Sequence, residues 1–495
     1  MRKELLVNAT PPETRVALLE DGRAVEVLHE RRSRQGLVGN VYLGRVHRVL
    51  PGMEAAFVSI GLERDAFLYV EDVLPPSIDA NGIGDAADER VDRADRPRID
   101  DLVKEGQEFV VQVTKDALAG KGPRVTANLS LPGRTLVYLP GVREIGISRR
   151  ITDEEERERL RRILEVLPAD GGFIARTAAQ GSSSVEFAAD RRYLTELADR
   201  IFRKADSSSA PAALHRELDL ALRSVRDLVT GDFEAIRVDD QETHARLADF
   251  LTAVAPPLVY RLELSRGAEP LFQTFGVEAE IENALKSRVP LPSGGSIVIH
   301  QTEALVAIDI NTGKYVGKED LEETVFSTNL EAIPEVARQI RLRDLGGLLV
   351  VDFIDMLEPD HRREVFERFE AELAKDRARF RMLPVSEFGL IEITRQRSRG
   401  NLEKLLTRSC PDCGGSGRVK TDLTVALELR RALLAPPVLF VAGETVQVRV
   451  RPSLARFLAE EEPGLLAEVE RELAVKVELA TDETLPPARY EIERG

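Results

Sequence analysis

Ala307-Ile308-Asp309-Ile310-Asn311 and Val350-Val351-Asp352-Phe353-Ile354-Asp355 carry the pattern that decides the fold. In the first, successive strand side chains alternate, so Asp309 and Asn311 share one face while Val306, Ile308 and Ile310 turn to the other. In the second, Asp352 interrupts an apolar run that reads as a buried strand over Leu348–Phe353. Between them Asp320–Arg343 reads as a long helix, and Pro359–Asp376 as a second. With a further strand at Ser296–His300, the stretch Gly295–Val385 is the clearest α/β pattern in the chain.

Acid at the end of an apolar strand is costly unless it is paired or metal-bound. Two carboxylates on neighbouring strand ends, with an amide beside them, suit a hard cation such as Mg²⁺. The same positions also suit Asp as a cap for a following turn or helix, and the pattern alone leaves both readings open. The six histidines form no H-E-x-x-H pair, and neither a G-x-S-x-G elbow nor a G-x-x-x-x-G-K-[ST] loop occurs. Histidine-driven and phosphate-loop chemistry therefore lack their residues, whereas carboxylate-bound Mg²⁺ acting on a phosphate ester needs neither.

Towards the N-terminus, Leu5–Val7, Arg15–Leu19 and Ala24–Leu28 read as short strands, the last two joined at Asp21-Gly22. From Gly39 to Leu129, short strands broken by glycine turns predict a small closed barrel. A polar, acidic stretch over Pro75–Asp101 interrupts it and is expected to be a disordered insertion. Phe57 and Phe67, with Tyr42, Tyr69 and His47 nearby, are read either as base-stacking residues or as core. Lys115 and Lys121 could add phosphate contacts. Thr152 and Glu155 are spaced as a capping box for a helix to Leu167. The strand Phe173–Thr177 then delivers Arg176 and Thr177 next to Gly181-Ser182-Ser183-Ser184, where a guanidinium, hydroxyls and free backbone N–H groups would suit a monophosphate. The bland alternative is an exposed arginine at a strand end. Thr421–Gly495 reads as a small α+β unit.

The chain has 495 residues, enough for three or more domains, with 43% hydrophobic and 31% charged residues. It has no apolar run of transmembrane length and no secretory leader, so a cytoplasmic protein is expected. A net charge of −16 argues against indiscriminate coating of nucleic acid. The only two cysteines lie in Cys410-Pro411-Asp412-Cys413-Gly414-Gly415-Ser416-Gly417. Both thiolates can reach one metal, but a structural zinc takes four ligands and no histidine follows. A second protomer supplying the same pair is the simplest completion. Free thiols or a redox pair are the alternative.

In this order the pieces resemble the ribonuclease E/G family over nearly the whole chain. Gly39-Asn40-Val41-Tyr42-Leu43-Gly44-Arg45-Val46, Ala55-Ala56-Phe57-Val58 and Ala66-Phe67-Leu68 resemble that family's S1-type barrel. Asp309-Ile310-Asn311-Thr312-Gly313, Thr328-Asn329-Leu330-Glu331-Ala332, Arg341-Leu342-Arg343-Asp344-Leu345-Gly346-Gly347 and Val351-Asp352-Phe353-Ile354-Asp355-Met356 resemble its DNase I-like core. The cysteine knuckle resembles its zinc link. The fold implied is multidomain α/β and α+β. An OB-fold barrel (39–128) sits within an RNase H-like subdomain (1–38 and 220–283). A 5′-sensor region (129–219), a DNase I-like catalytic domain (284–404), a zinc link (405–420) and a small C-terminal domain (421–495) complete it.

The resemblance also implies roles. Asp309 and Asp352 would hold Mg²⁺, and Asn311 would orient the phosphate or a water. Phe57, Phe67 and Lys121 would grip single-stranded RNA. Arg176 and Thr177, with the backbone near Val137, would sense a 5′-monophosphate. Cys410 and Cys413 would share one zinc across a homodimer, or a higher oligomer built from it. The long Arg-rich tail of ribonuclease E has no counterpart, which leans towards ribonuclease G. The rival readings are a noncatalytic RNA-binding dimer and a zinc-ribbon chaperone.

Overall fold

The computed structural model describes residues 2–75, 78–79, 82–83, 97–117, 121–167, 171–312, 321–386, 388–396, 401–435 and 440–494. Most of the expected insertion at 75–101, and Gly313, lie outside the described residues. The chain divides into two compact units, Met1–Leu402 and Glu403–Gly495. No helix among the described residues is long and apolar enough to cross a membrane.

In the first unit, Lys3–Ala9, Glu13–Glu20 and Arg23–Arg31 form an antiparallel meander. Phe233–Val238 adds parallel to Lys3–Ala9, with Leu5 opposite Ile236, and Leu262–Leu264 follows it in parallel. Leu5, Val7, Val16 and Leu18 therefore share one core with Val225 and Leu251 from the helices Leu220–Leu228 and Gln241–Val254. Two stretches far apart in sequence build one sheet because neither buries its apolar face alone.

The chain between these stretches makes the barrel and a four-stranded sheet. Val41–Leu50 pairs with Ala55–Ser59 on one side and with Glu108–Lys115 on the other. Ala66–Tyr69 and Arg124–Thr126 run parallel and complete a closed five-strand barrel, to which Ala212–His215 is added outside the ring. Tyr42, one of the aromatics with both a stacking and a core reading, is 8% exposed and packs inside with Val58, Leu68 and Val111. The next sheet runs Leu131–Pro132, Leu136–Leu139, Gly172–Ala175, Ile145–Ile147. It is backed by the helices Glu154–Val166 and Ser184–Asp206, whose Leu160, Leu164 and Phe187 enter its core. The cap of Glu154–Val166 is Asp153, whose carboxylate accepts from the Glu155 amide, and not Thr152.

A six-stranded sheet ends the unit, in the order Arg288–Pro290, Ser296–Gln301, Leu305–Asn311, Gly347–Asp352, Leu390–Arg395, Phe380–Met382. Only Leu305–Asn311 and Gly347–Asp352 are parallel neighbours. The crossover between them contains the helix Leu321–Leu342, and Pro359–Leu373 follows the second. Both helices contribute to a single core with Ile308, Ile310, Leu349, Val351 and Ile391. The other face of the sheet is open. Gly347–Asp352 is thus not the fully buried strand expected: it alternates, with Leu349 and Val351 buried, Leu348 39% exposed and Asp352 exposed. Its apolar outward side chains made the two faces look alike in sequence.

The second unit is a three-stranded sheet, Lys476–Thr481, Thr445–Val450, Glu491–Arg494. The helices Asp422–Leu434 and Pro463–Leu473 supply Val425, Leu429 and Val469 to a core with Val446 and Val448.

Candidate functional site

Asp309 and Asp352 are register partners on the two parallel strands, and both lie on the open face of the six-stranded sheet. Asn311 donates from Nδ2 to Asp309 Oδ2 at 2.7 Å, so the amide fixes that carboxylate from the same strand face. Partial burial, then the negative charges of Asp309 and Asp355, push the pKa of Asp352 up. A cation between the two acids would relieve that repulsion. Among the described residues no group of three or more His, Cys, Asp or Glu side chains is poised for a metal. Two carboxylates and an amide would leave most coordination positions to water and substrate, which suits Mg²⁺ better than ions that need a full protein cage.

The loop after Asp352 is held by the helix Leu321–Leu342. Asn329, fully buried, accepts from the Ile354 amide at 3.1 Å and donates to the Ile354 carbonyl at 2.8 Å. Glu322 accepts from the amides of Leu357 and Glu358 and lies 3.0 Å from His361 Nδ1, whose ring stacks on Phe326. Sequence reasoning assigned neither residue a role. The available signal was polar residues at helix positions close to apolar ones.

On the barrel, Phe57 and Phe67 are cross-strand partners with ring centroids 4.5 Å apart in an edge-to-face pair. Tyr69 continues the row at 6.1 Å from Phe67, under the guanidinium of Arg124. Phe57 and Phe67 are half-buried and absent from the barrel core. Together with Lys121, Arg48, Arg64 and His47 they line a cavity of about 780 Å³. Lys115 is exposed and not part of that lining. The groove depends on a close approach at Gly122, where a Cβ would stand 1.9 Å from the Asp65 carbonyl oxygen.

Val137, Arg176 and Thr177 line one cleft of about 1100 Å³. Arg176 already donates to Asp227 Oδ1 at 2.7 Å and to the Gly133 carbonyl, and Thr177 Oγ1 lies 3.0 Å from Ser148 Oγ. Burial would raise the pKa of Asp227, but the charges of Arg226 and Arg176 pull it down to about 2. Arg377 donates to the carbonyls of Asp227 and Leu228. Burial, with nearby Arg341 adding to it against the pull of Glu26, lowers its pKa. Burial and then Arg379 do the same to Arg150. Guanidinium groups crowded in this way favour a bound anion. The Gly181–Ser184 segment does not contribute the donors expected of it. The Gly181 amide donates to Glu156, and Ser183 and Glu186 form the capping box of the helix Ser184–Asp206.

In the second unit Cys413 Sγ accepts from the Gly417 amide at 3.3 Å. The amides of Gly417 and Gly415 lower its pKa, and Cys410 adds to that. Gly414, Gly415 and Gly417 all have positive φ, which lets the chain wrap the sulfur. This donor set fits a metal-bound thiolate, and two such thiolates would supply half of a tetrahedral site. The pair precedes the N-cap Thr421 of the next helix and does not sit at a helix N-terminus, where redox thiols are commonly activated.

The sequence of residues 130–398 matches a model described as the Ribonuclease E/G family, and residues 409–495 match one described as RNase E/G, Thioredoxin-like domain. The chain is 43% identical over 471 residues to ribonuclease G of Escherichia coli (strain K12), covering 95% of both proteins. Ribonuclease G of Haemophilus influenzae (strain ATCC 51907 / DSM 11121 / KW20 / Rd) is 40% identical over 492 residues, covering 99% of both. The chain belongs to the ribonuclease E/G family. Ribonuclease E of Escherichia coli (strain K12) is 35% identical over 501 residues, which span 99% of this chain and 46% of that protein.

Within the ribonuclease E/G chain, the stretch 130–398 contains Val137, Arg176, Thr177 and the whole acid-bearing sheet, while Glu26, Val27 and Leu28 line the same cleft from outside it. The knuckle falls inside the stretch matched by the thioredoxin-like model.

Proposed function

We propose that this chain is an endoribonuclease of the ribonuclease G kind, which hydrolyses single-stranded, A/U-rich RNA and leaves 5′-phosphate and 3′-hydroxyl ends. The observation that carries the reading is the register pair Asp309–Asp352 on an open sheet face, with Asn311 bonded to one acid and the other electrostatically strained. When bound between these acids, Mg²⁺ would polarise a phosphate oxygen and lower the pKa of a water. Asn311 donates to the Asp309 carboxylate and leaves its own carbonyl oxygen to accept from a water. The Asn329 clamp keeps the Asp352 strand end from drifting.

In this reading the barrel is an S1-type RNA-binding domain, with Phe57 and Phe67 stacking bases and Lys121 reaching a phosphate. The five-stranded sheet is an RNase H-like subdomain and the six-stranded sheet a DNase I-like catalytic domain. The cleft at Arg176, Thr177 and Val137 is a 5′-monophosphate sensor. Because Asp227 occupies Arg176, the incoming phosphate adds to an existing ion pair. Cys410 and Cys413 share one structural zinc with a second protomer. The cellular setting is processing of ribosomal RNA and turnover of mRNA in the cytoplasm.

The test is Mg²⁺-dependent cleavage of a short RNA bearing a 5′-monophosphate beside its 5′-hydroxyl twin. Faster cleavage of the first is expected. Equal rates would remove the sensor, and cleavage that persists at the wild-type rate in Asp309→Asn or Asp352→Asn would remove the metal assignment.

A further inference from the structure

Phe388 is 82% exposed; among the described aromatic side chains only Tyr260, at 92%, is more so. A single exposed apolar ring is ordinary on a protein surface, but the setting of this one is not. Leu390 is the register partner of Asp352, so Phe388 stands two positions before the residue paired with a candidate metal ligand.

The described residues on either side of it are tied together. The Ser386 amide donates to the Leu390 carbonyl at 2.9 Å, the Leu390 amide to Ser386 Oγ at 3.1 Å, and the Gly389 amide to the Ser386 carbonyl at 3.0 Å. Gly389 adopts φ +78°, and a Cβ there would stand 3.0 Å from Asp355 Oδ1. The backbone next to Phe388 is thus pressed against the acid-bearing loop. An exposed aromatic ring is thus carried by the residue next to Gly389, whose backbone packs against Asp355, two positions from the register partner of Asp352.

We propose that Phe388 is a stacking platform for an unpaired nucleobase flanking the scissile phosphate, an inference that rests on the ribonuclease reading. The chemistry favours a base over a phosphate as the group held here. Asp309, Asp352 and Asp355 repel the RNA backbone, whereas a neutral ring grips a base without competing with the acids for the cation. Every nucleobase has a π-face, so the contact adds affinity and fixes the strand's path without demanding a sequence.

The test uses the full-length chain. In an Asp309→Asn background that cannot cut, RNA carrying 2-aminopurine at each position around the cleavage site is bound in turn. Fluorescence at one flanking position is quenched severalfold, Phe388→Ala relieves the quenching, and Phe388→Trp keeps it. In the otherwise wild-type chain Phe388→Ala raises KM about tenfold, the size of one base stack, with a smaller change in kcat, and Phe388→Trp restores it. Unchanged quenching and KM in Phe388→Ala would overturn the assignment. So would a change of oligomeric state in Phe388→Ala, by sedimentation, without a change in quenching, since the ring would then serve a protein contact. A wild-type chain that quenches but cuts no RNA would overturn the ribonuclease reading and leave the stacking platform standing.

Discussion

Asp352 costs the protein stability in the absence of a cation. Its pKa is raised, by partial burial and then by Asp309 and Asp355, so the folded state holds its proton more tightly than the unfolded chain does. Ionised Asp352 therefore disfavours the native state at neutral pH, and the cost fades as pH falls through the raised pKa. Metal-free Asp352→Asn is expected to melt at or above the wild-type temperature at pH 7, and the difference should close near pH 4. RNA cleavage by the same variant should drop by about 10³-fold. A clear loss of melting temperature in the metal-free variant would show Asp352 to be a structural residue. The pairing of Asp309 with Asn311 on one face was legible in sequence, because strand alternation fixes it. The ion pair of Arg176 with Asp227 was not: the two residues come from distant segments, and nothing local to either signals the other.

At the scale of elements, alternation in Leu305–Asn311 and the long helix before Gly347–Asp352 were readable because each is a short-range pattern. The helix Ser184–Asp206 begins inside the Gly181–Ser184 stretch that suits a monophosphate in sequence, because Ser183 and Glu186 form its capping box. Which sheet face stays open depends on where helices dock, and that is a tertiary fact. The helix Leu321–Leu342 is more than cover. Its Asn329 satisfies both backbone groups of Ile354, and replacement leaves a buried amide and carbonyl without partners. Asn329→Ala should lower stability by about 2 kcal/mol. It should also reduce kcat well below the melting range, where the protein is fully folded. Urea denaturation and cleavage rates at low temperature separate the two effects. A stability loss with an unchanged kcat would confine Asn329 to folding.

At the scale of the molecule, the division into Met1–Leu402 and Glu403–Gly495 puts both cysteines in the compact unit that carries the thioredoxin-like match. The sequence already limited the chemistry here, since two thiols cannot close a tetrahedral site. What it did not reveal was how Cys413 is prepared, with the amides of Gly417 and Gly415 turned onto its sulfur by left-handed glycines. Such donors stabilise a thiolate and spread the charge of a metal–thiolate group, which a neutral pair of free thiols would not need. Under the proposed shared site, tight zinc binding needs a second copy to bring the other half, so zinc content and assembly would rise and fall together. Purified protein is expected to hold one zinc per two chains. Cys413→Ser or a strong chelator should abolish both the metal and the dimer in sedimentation. The melting transition of Met1–Leu402, a separate compact unit, should stay within a degree or two of its original temperature. One zinc per chain in a monomer, or a dimer that survives complete removal of zinc, would refute the shared site.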